Sequence, residues 1–577
     1  MPFESPHPPI DLPSKESIWS FFFNSSQSPL SQYPLPCPLA GYLDASTGHS
    51  LSYLDVKNKA TALSTALVNH HNFKPGDTVI LFSQNSIWYP VAMFAVLRVG
   101  GVVSGASPAY GVEEMIYALK TSGARFLMTH PERLGVAVEA AKAVGIGRES
   151  VFLLEGEESG FKGIGELIQM GEKGEQVKEW EGVRRKGNKH VCAFLSFSSG
   201  TTGLPKAVMI SHQNVIAQCL QMLKITPPDL DRILAVLPLF HITGLVHILH
   251  LPILLNAQVI MLPSFSMPTM LSTVTKYKIK ELLLVPPLLI RLVRDPEVDN
   301  HDLSCIERFS SGAAPLSEEI LQLLQNKFPN TGFKQGYGMT ESCSCITGHP
   351  PSHYSYKYAH AVGKIVSSTS IKIIRENGTE ANTNEPGEIL AKGPQITMGY
   401  LNNDTATKET YDQEGYLHTG DQGFINEEGL LTITDRIKEM IKVNGHAVAP
   451  AELEDLLLGH GLVEDVAVLG IPDAYTGEKP KAFVVLKSNS VGKEEHIGRK
   501  LLDYVRERKI RYKWLAEVEF VDVIPKSPSG KILRRVLKDR AKKGEVGVVV
   551  KEAQRRPFRD RGGPIVECAM DEFGARR

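Results

Sequence analysis

The residues with the clearest chemical purpose stand in Phe197–Val208, FSSGTTGLPKAV, directly after a short apolar run. Gly200 and Gly203 let a backbone approach a ligand closely, the hydroxyls of Ser198, Ser199, Thr201 and Thr202 can donate to phosphate oxygens, and Lys206 adds positive charge. The G-x-x-x-x-G-K-[ST] spacing of a Walker loop is absent. Ser/Thr/Gly composition is common in plain turns. Two glycines, four hydroxyls and a lysine within nine residues nevertheless favour phosphate binding. Cys343, Cys345, His349 and His353 form a second group with metal-ligating side chains. One residue separates the two cysteines, where structural zinc sites have two to four, so zinc is not expected. His241, in PLFHITG, is a lone histidine in an apolar run, which by itself reads as a satisfied core residue.

A phosphate loop must be held by a framework, and the flanking pattern supplies one. β-rich apolar runs at Thr78–Phe82, Gly101–Gly105, Ala124–Met128, Val191–Phe197, Ile233–Leu237, Ala257–Leu262, Glu281–Val285 and Ile306–Phe309 alternate with helical spacing at Ile87–Val99, Met270–Tyr277 and Ser317–Lys327. Buried apolar strands alternating with helices predict an α/β fold with parallel sheets covered on both faces. After about Gly363 the texture changes to short alternating segments with Gly and Asn turns, which suit a β-rich subdomain. The expected organisation is a large domain over 1–434, with 1–40 as a loose arm and about 363–434 as the β-rich part. A small α+β domain over 435–540 and a mobile tail over 541–577 complete it.

Composition narrows the function. The 577 residues carry 63 Lys+Arg against 64 Asp+Glu, a net charge of −1, which excludes a nucleic-acid binder that must neutralise many phosphates. Seven scattered cysteines read as reduced thiols, and the first residues do not form a signal peptide. The apolar stretch Ile233–Phe265 is broken by Pro238, Pro252 and Pro263 and by three histidines, so buried strands and a core helix are expected there, not a membrane span. These features point to a cytoplasmic protein; the ending Ala575-Arg576-Arg577 is not an S-K-L-like peroxisomal signal.

Five further motifs follow the loop in order: GYGMTE (Gly336–Glu341), GEILAKG (Gly387–Gly393), YLHTGD (Tyr416–Asp421), DRIKE (Asp435–Glu439) and PKSPSGKILRR (Pro525–Arg535). With them the sequence resembles the adenylate-forming superfamily, particularly its 4-coumarate–CoA ligase and acyl-CoA synthetase branch, over about Asp77 to Lys538. The resemblance implies an ATP-dependent acid–CoA ligase that makes an acyl-adenylate, releases pyrophosphate and passes the acyl group to coenzyme A. It implies ATP, Mg²⁺ and coenzyme A as ligands, and a downstream acyltransferase or synthase as a partner. A ligase loading a carrier protein, a luciferase-like oxidative use of the adenylate, and a catalytically dead adenylate binder are the alternatives.

The same resemblance assigns roles. Thr340 contacts the α-phosphate, and Glu341 holds Mg²⁺ as a hard oxygen ligand. Tyr337 lies against adenine, with the backbone of Ser311, Gly312, Ala313, Ala314 and Pro315 closing the other side, and Gln335, Gly336, Gly338 and Met339 complete that wall. Asp421 accepts from the ribose hydroxyls and Arg436 adds a charge-assisted contact. Lys531 bridges carboxylate and phosphate during adenylation; Lys442 and Gly445 serve the second half-reaction after rotation about a hinge at Asp435. His241 gates the acyl pocket, which Thr243, His247, Ser310 and the stretch Ser342–Ile346, Ser342 and Cys343 foremost, line.

The sequence departs from the hydroxycinnamate pattern at several of these positions. Ala207 replaces a glycine after the loop lysine, which costs backbone freedom. His446 and Ala447 replace an aromatic residue and a glutamine. Thr243 replaces an aromatic pocket residue, and Ser310 replaces the lysine that faces a phenolic end. The expectation is an aryl or medium-chain acid, with no lysine for a phenolic hydroxyl and little gain from one.

Overall fold

Continuous β-branched and aromatic runs become the buried centre of a sheet. Thr78–Phe82 is buried at every position and pairs in parallel with Val102–Ala106 on one side and Phe126–Thr129 on the other. Val151–Leu153 extends one edge, and Cys192–Ser198 followed by Lys206–Ser211 extends the other. The last pair is an antiparallel hairpin with Ser198 opposite Lys206. The helix Tyr89–Arg98 is buried along its whole length, as an all-apolar helix between layers must be.

The fold is a computed structural model that describes residues 2–32, 39–198, 204–312, 316, 318–437, 439–443, 446–473, 476–487, 493–527, 530–542 and 547–552. A second sheet runs Glu281–Leu284, Arg308–Ser311 and Gly332–Met339 in parallel, then Ser344–Gly348 and Lys364–Ile365 antiparallel. The Ile233–Phe265 stretch divides into the strand Arg232–Ala235, a helix from Ile242 to Leu255 and the strand Gln258–Met261. Among the described residues no helix is long and apolar enough to cross a membrane. The β-rich part is an antiparallel sheet of Ser370–Ile374, Gly387–Lys392, Leu417–Ile425 and Leu431–Arg436. Beyond it, Val463–Asp473, Gly477–Leu486 and Glu517–Phe520 carry the small domain, backed by the helix Glu494–Arg508.

Two terminal expectations need correction. The first residues are not a loose arm: Phe3–Glu4 pairs with Ser370–Ile371, and the helix Ile18–Phe23 buries Ile18, Trp19, Phe21, Phe22 and Phe23 in the main core. Their prolines suggested a coil, but five large apolar side chains in six residues cannot stay in water cheaply. At the other end, Val549–Lys551 is an edge strand on Glu517–Phe520, with Val550 buried against Gly498. Of the rest of the expected tail, 541–542 end the helix Arg534–Lys542, and 543–546 and 553–577 lie outside the described residues.

Candidate active site

The two main sheets, the β-rich part and the small domain enclose a cavity of about 570 Å³. Among its lining residues are Ser198 and Lys206 from the hairpin, His241, Thr243 and His247 from the broken helix, and Ser310, Ser311 and Gly312 from the second sheet. Gln335, Gly336, Gly338, Met339, Thr340, Glu341, Asp421, Arg436 and Lys531 complete the group that sequence reasoning had singled out. Ser199, Gly200, Thr201, Thr202, Gly203, Ala313, Ala314, Pro315 and Gly445 fall outside the described residues.

At one end the lining is charged. Asp421 and Arg436 are directly opposite each other on neighbouring strands, and Arg436 Nε lies 3.2 Å from Asp421 Oδ1. Tyr337 Oη donates to Asp421 Oδ2 at 2.7 Å. Burial pushes the Asp421 carboxyl up, while Arg436 and the Tyr337 hydroxyl pull it back. Tyr337 therefore stands beside the cavity with its hydroxyl tied to Asp421 and its ring on the apolar cluster of the β-rich part; it is not among the lining residues. A lone phenol next to a buried carboxylate is drawn to it, because that carboxylate needs donors.

Glu341 is buried, and its Oε1 accepts from Tyr400 Oη at 2.8 Å. The Tyr400 ring in turn carries the Lys206 ammonium 4.7 Å from its centroid. The turn at Thr340–Ser342 is held by Thr397, whose amide and hydroxyl both donate to the Glu341 carbonyl at 3.0 Å. Just before it, Gly338 has no alternative: a Cβ there would collide with the Ser344 carbonyl of the adjoining strand. Ala207 is an ordinary strand residue opposite Phe197, and the Ala207 carbonyl accepts from Leu401 N at 2.9 Å. The missing glycine thus costs no backbone freedom, since the extended conformation suits alanine equally.

The small domain delivers Lys531 into this charged end. Its turn is closed by Ser527 N donating to Lys531 O at 2.8 Å and Lys531 N donating to Ser527 Oγ at 3.1 Å. Gly530 takes φ +82°, a conformation that favours glycine, where the turn presses on Pro287. Arg534 holds the base of the turn through Glu439 at 2.5 Å and Glu454 at 2.6 Å. Burial and the neighbouring Arg436 lower the Lys531 ammonium to about 8, against the pull of Glu439, Asp421 and Glu341. Asp435, the residue before Arg436, is buried, accepts from the Arg436 amide at 2.6 Å, and is raised by burial to about 6. Lys442 is exposed on the strand Ile441–Val443 and does not line the cavity. His446 stacks on Tyr512, with ring centroids 4.6 Å apart.

The other end is apolar, walled by Met222, Ile225, Leu234, Leu251 and Leu283. His241 and His247 are both lowered to about 4, chiefly by burial, so both are neutral imidazoles. His247 sits in a π-helical turn, Leu245–His250, and its Nε2 is 3.0 Å from Ser344 Oγ and 3.8 Å from Cys345 Sγ. Ser342 and Cys343 do not face the cavity, contrary to expectation. The Ser342 hydroxyl accepts from Met339 N at 2.9 Å and donates to Ser344 O at 2.7 Å, while Cys343, at φ 48°, is buried in the core. The turn after Glu341 rotates these two inward, so of the expected stretch Ser344 and Cys345 line the cavity.

Sequence reasoning also missed a lysine. Ser310 leaves its own position uncharged, but Lys334 is its direct partner on the next strand and lines the same cavity. Lys334 Nζ is 2.6 Å from Glu281 Oε1, and that carboxylate also accepts from Arg308 Nε at 2.9 Å. The position directly before Gln335-Gly336-Tyr337 was the available signal; only strand pairing shows that it lies beside Ser310.

Comparison with known proteins places this site. The AMP-binding enzyme family model matches residues 39–401, and that for the AMP-binding enzyme C-terminal domain matches 452–531. The chain belongs to the AMP-binding enzymes, and within them it is an AMP-forming acid–CoA ligase that works through an acyl-adenylate. It is 36% identical to 4-coumarate–CoA ligase 5 of Oryza sativa subsp. japonica, over 86% of this chain and 90% of that one. It is 34% identical to the peroxisomal OPC-8:0-CoA ligase 1 of Arabidopsis thaliana, over 93% and 95%. Among solved structures it resembles the o-succinylbenzoate CoA synthetase MenE of Bacillus subtilis with its acyl-adenylate intermediate (TM-score 0.75, 26% identity, 91% and 98% covered). It also resembles ATP-bound MatB of Rhodopseudomonas palustris (TM-score 0.78, 25% identity, 91% and 99% covered).

Proposed function

We propose that this chain activates an aryl or medium-length carboxylic acid with ATP and transfers it to coenzyme A, using the charged end of the cavity for phosphate and the apolar end for the acyl group. The observation that carries this reading is the entry of Lys531, from a separate domain, into the space that Lys206, Thr340, Glu341, Asp421 and Arg436 already line. Adenylation brings a carboxylate to the α-phosphate as pyrophosphate leaves, so its catalysis is positioning plus neutralisation of negative charge. Lys531 contributes a cation at the reacting oxygens. Thr340 donates to the α-phosphate, Lys206 draws on the leaving phosphates, and Asp421 accepts from the ribose while Arg436 orients it.

Glu341 lines the cavity with a carboxylate of which one oxygen is engaged by Tyr400. That donor suits Mg²⁺, which takes most of its ligands from phosphate and water, and the ion would supply further charge neutralisation when bound with ATP. The neutral His241 and His247 accept an acyl group without adding a charge to its pocket. The second half-reaction uses a rotated small domain, with Lys442 and Gly445 turned toward the site and Lys531 withdrawn, about a hinge at Asp435.

The decisive experiment is acid-dependent pyrophosphate release over a panel of aryl and C6–C12 acids, with and without CoA, with the products separated. Acyl-CoA and AMP are expected. Pyrophosphate release that yields only bound adenylate in the presence of CoA would remove CoA as the acceptor.

A further inference from the structure

Arg294 ends the helix Pro286–Arg294, which buries Leu289 and Leu292 in the core of the second sheet. Among the described residues no carboxylate pairs with its guanidinium. Its hydrogen bonds cross to the small domain instead: Nη2 donates to the Leu458 carbonyl at 3.1 Å and Nη1 to the Glu464 carbonyl at 3.4 Å. Leu458 is the last residue of the helix Pro450–Leu458, where the final carbonyls lack partners within the helix and a cation is favoured by the helix dipole. Gly459, which follows, has no room for a side chain, because a Cβ would collide with the Glu319 carboxylate of the large domain. The N-terminal end of the Arg294 helix meets the small domain too: a Cβ on Gly530, next to Lys531, would stand 3.0 Å from Pro287 Cδ. Pro287 and Arg294 are about 10 Å apart along a helix that rises ~1.5 Å per residue. One contact would leave a pivot, whereas two at that spacing fix an orientation.

The chemistry of this contact suits a latch that opens in every turnover. Its acceptors are neutral carbonyls and Arg294 is only half-buried, so both sides regain water when they part. A fully buried ion pair would be far harder to break, because each charge would be stranded. We propose that Arg294 is a positioning residue for adenylation: by capping the helix Pro450–Leu458 it holds the small domain in the pose that brings Lys531 into the charged end of the cavity, and it lets go when that domain rotates. The inference rests on the ligase reading above and names the contact that sets the balance between its two poses. Arg294 does not line the cavity, so it acts on the reaction only through Lys531.

The test measures the two half-reactions separately in the full-length enzyme: acid-dependent ATP–pyrophosphate exchange for the first, and thioester formation from supplied acyl-adenylate for the second. R294M keeps an apolar stem but removes the charge and the donors. Loss of a cation from a helix C-terminus predicts a fall of about 3- to 30-fold in kcat/KM for exchange. Thioester formation should equal that of the wild type or be faster, since the released domain reaches its second pose more readily. R294K retains a cation with donors and should exchange faster than R294M, to within about threefold of the wild type. Because Arg294 acts through Lys531, R294M/K531A should exchange as K531A does, within about twofold, whereas two independent contributions would multiply. Thermal melting is followed alongside; if R294M does not fold, R294Q is read in its place with the same expectations. Unchanged exchange in R294M, equal loss in both half-reactions, no gain from R294K, or a multiplied loss in R294M/K531A overturns the proposal. Absence of acid-dependent pyrophosphate release from the wild type with every acid overturns the ligase reading instead.

Discussion

The two ends of the cavity are built on different principles. At the charged end, which we assign to phosphate, Lys206, Thr340, Glu341, Asp421, Arg436 and Lys531 each belong to a short motif, and their geometry is set by local turns: Thr340–Ser342, the Ser527–Lys531 loop, and the cross-strand pair Asp421–Arg436. At the acyl end no motif exists. His247, Ser310, Lys334, Glu281 and Cys345 come from five separate segments and meet only because the sheet and the broken helix bring them together. The contrast follows from the chemistry. Triphosphate and ribose are the same for every acid, whereas the acyl end must differ between enzymes that share the first step.

The largest expected effect tests the phosphate end. Lys531→Ala should lower adenylation by about 100-fold or more, the usual cost of one lost contact to developing charge, yet leave thioester formation from supplied acyl-adenylate close to wild type. Equal loss in both half-reactions would mean that the small domain no longer folds. The same lysine sets a pH limb. With the ammonium near 8, raising the pH through that value removes the proton and the charge, so kcat/KM for adenylation should fall above about pH 8. Lys531→Arg keeps its charge there and should flatten the limb even if its rate is lower.

A smaller effect sharpens the contrast between the ends. Asp421→Asn weakens a charge-assisted contact, so kcat/KM for ATP should fall by roughly 10- to 150-fold while the ranking of acids holds. A changed ranking would mean that the two ends are coupled. At the acyl end, exchanging neighbouring cysteines separates lining from packing. Cys345→Val adds bulk to the cavity wall and should shift selectivity between acids that differ by one methylene by about tenfold, within the range of apolar pockets. Cys343→Ser should leave selectivity alone and lower stability by about 1–3 kcal/mol, because it puts a hydroxyl into an apolar core.

The least effect on catalysis is expected far from both ends. Removing residues 547–577 takes away the edge strand Val549–Lys551 and the buried Val550, and should destabilise the small domain by about 1.5–3 kcal/mol in thermal melting. Removing only 553–577 keeps that strand, so a melting point equal to the longer truncation would show that Val550 contributes nothing.

Sequence alone determined the architecture and the reaction class. Alternating buried runs fix parallel sheets: Thr78–Phe82 is a strand at the residues expected, and Glu281–Leu284 and Met267–Tyr277 lie within a few residues of their expected bounds. Five short motifs in order, GYGMTE to PKSPSGKILRR, carry the family resemblance because their spacing is local. Tertiary structure alone decided the rest. The buried helix Ile18–Phe23 reads as a coil until a core is available to receive its five apolar side chains. Ser342 and Cys343 differ from Ser344 and Cys345 only by the direction of one left-handed turn. A serine where a lysine was awaited suggests an uncharged pocket, until strand register sets Lys334 beside it. Long-range pairing leaves no local trace, because which residues become neighbours across a parallel sheet depends on connections tens of residues long and not on the residues themselves.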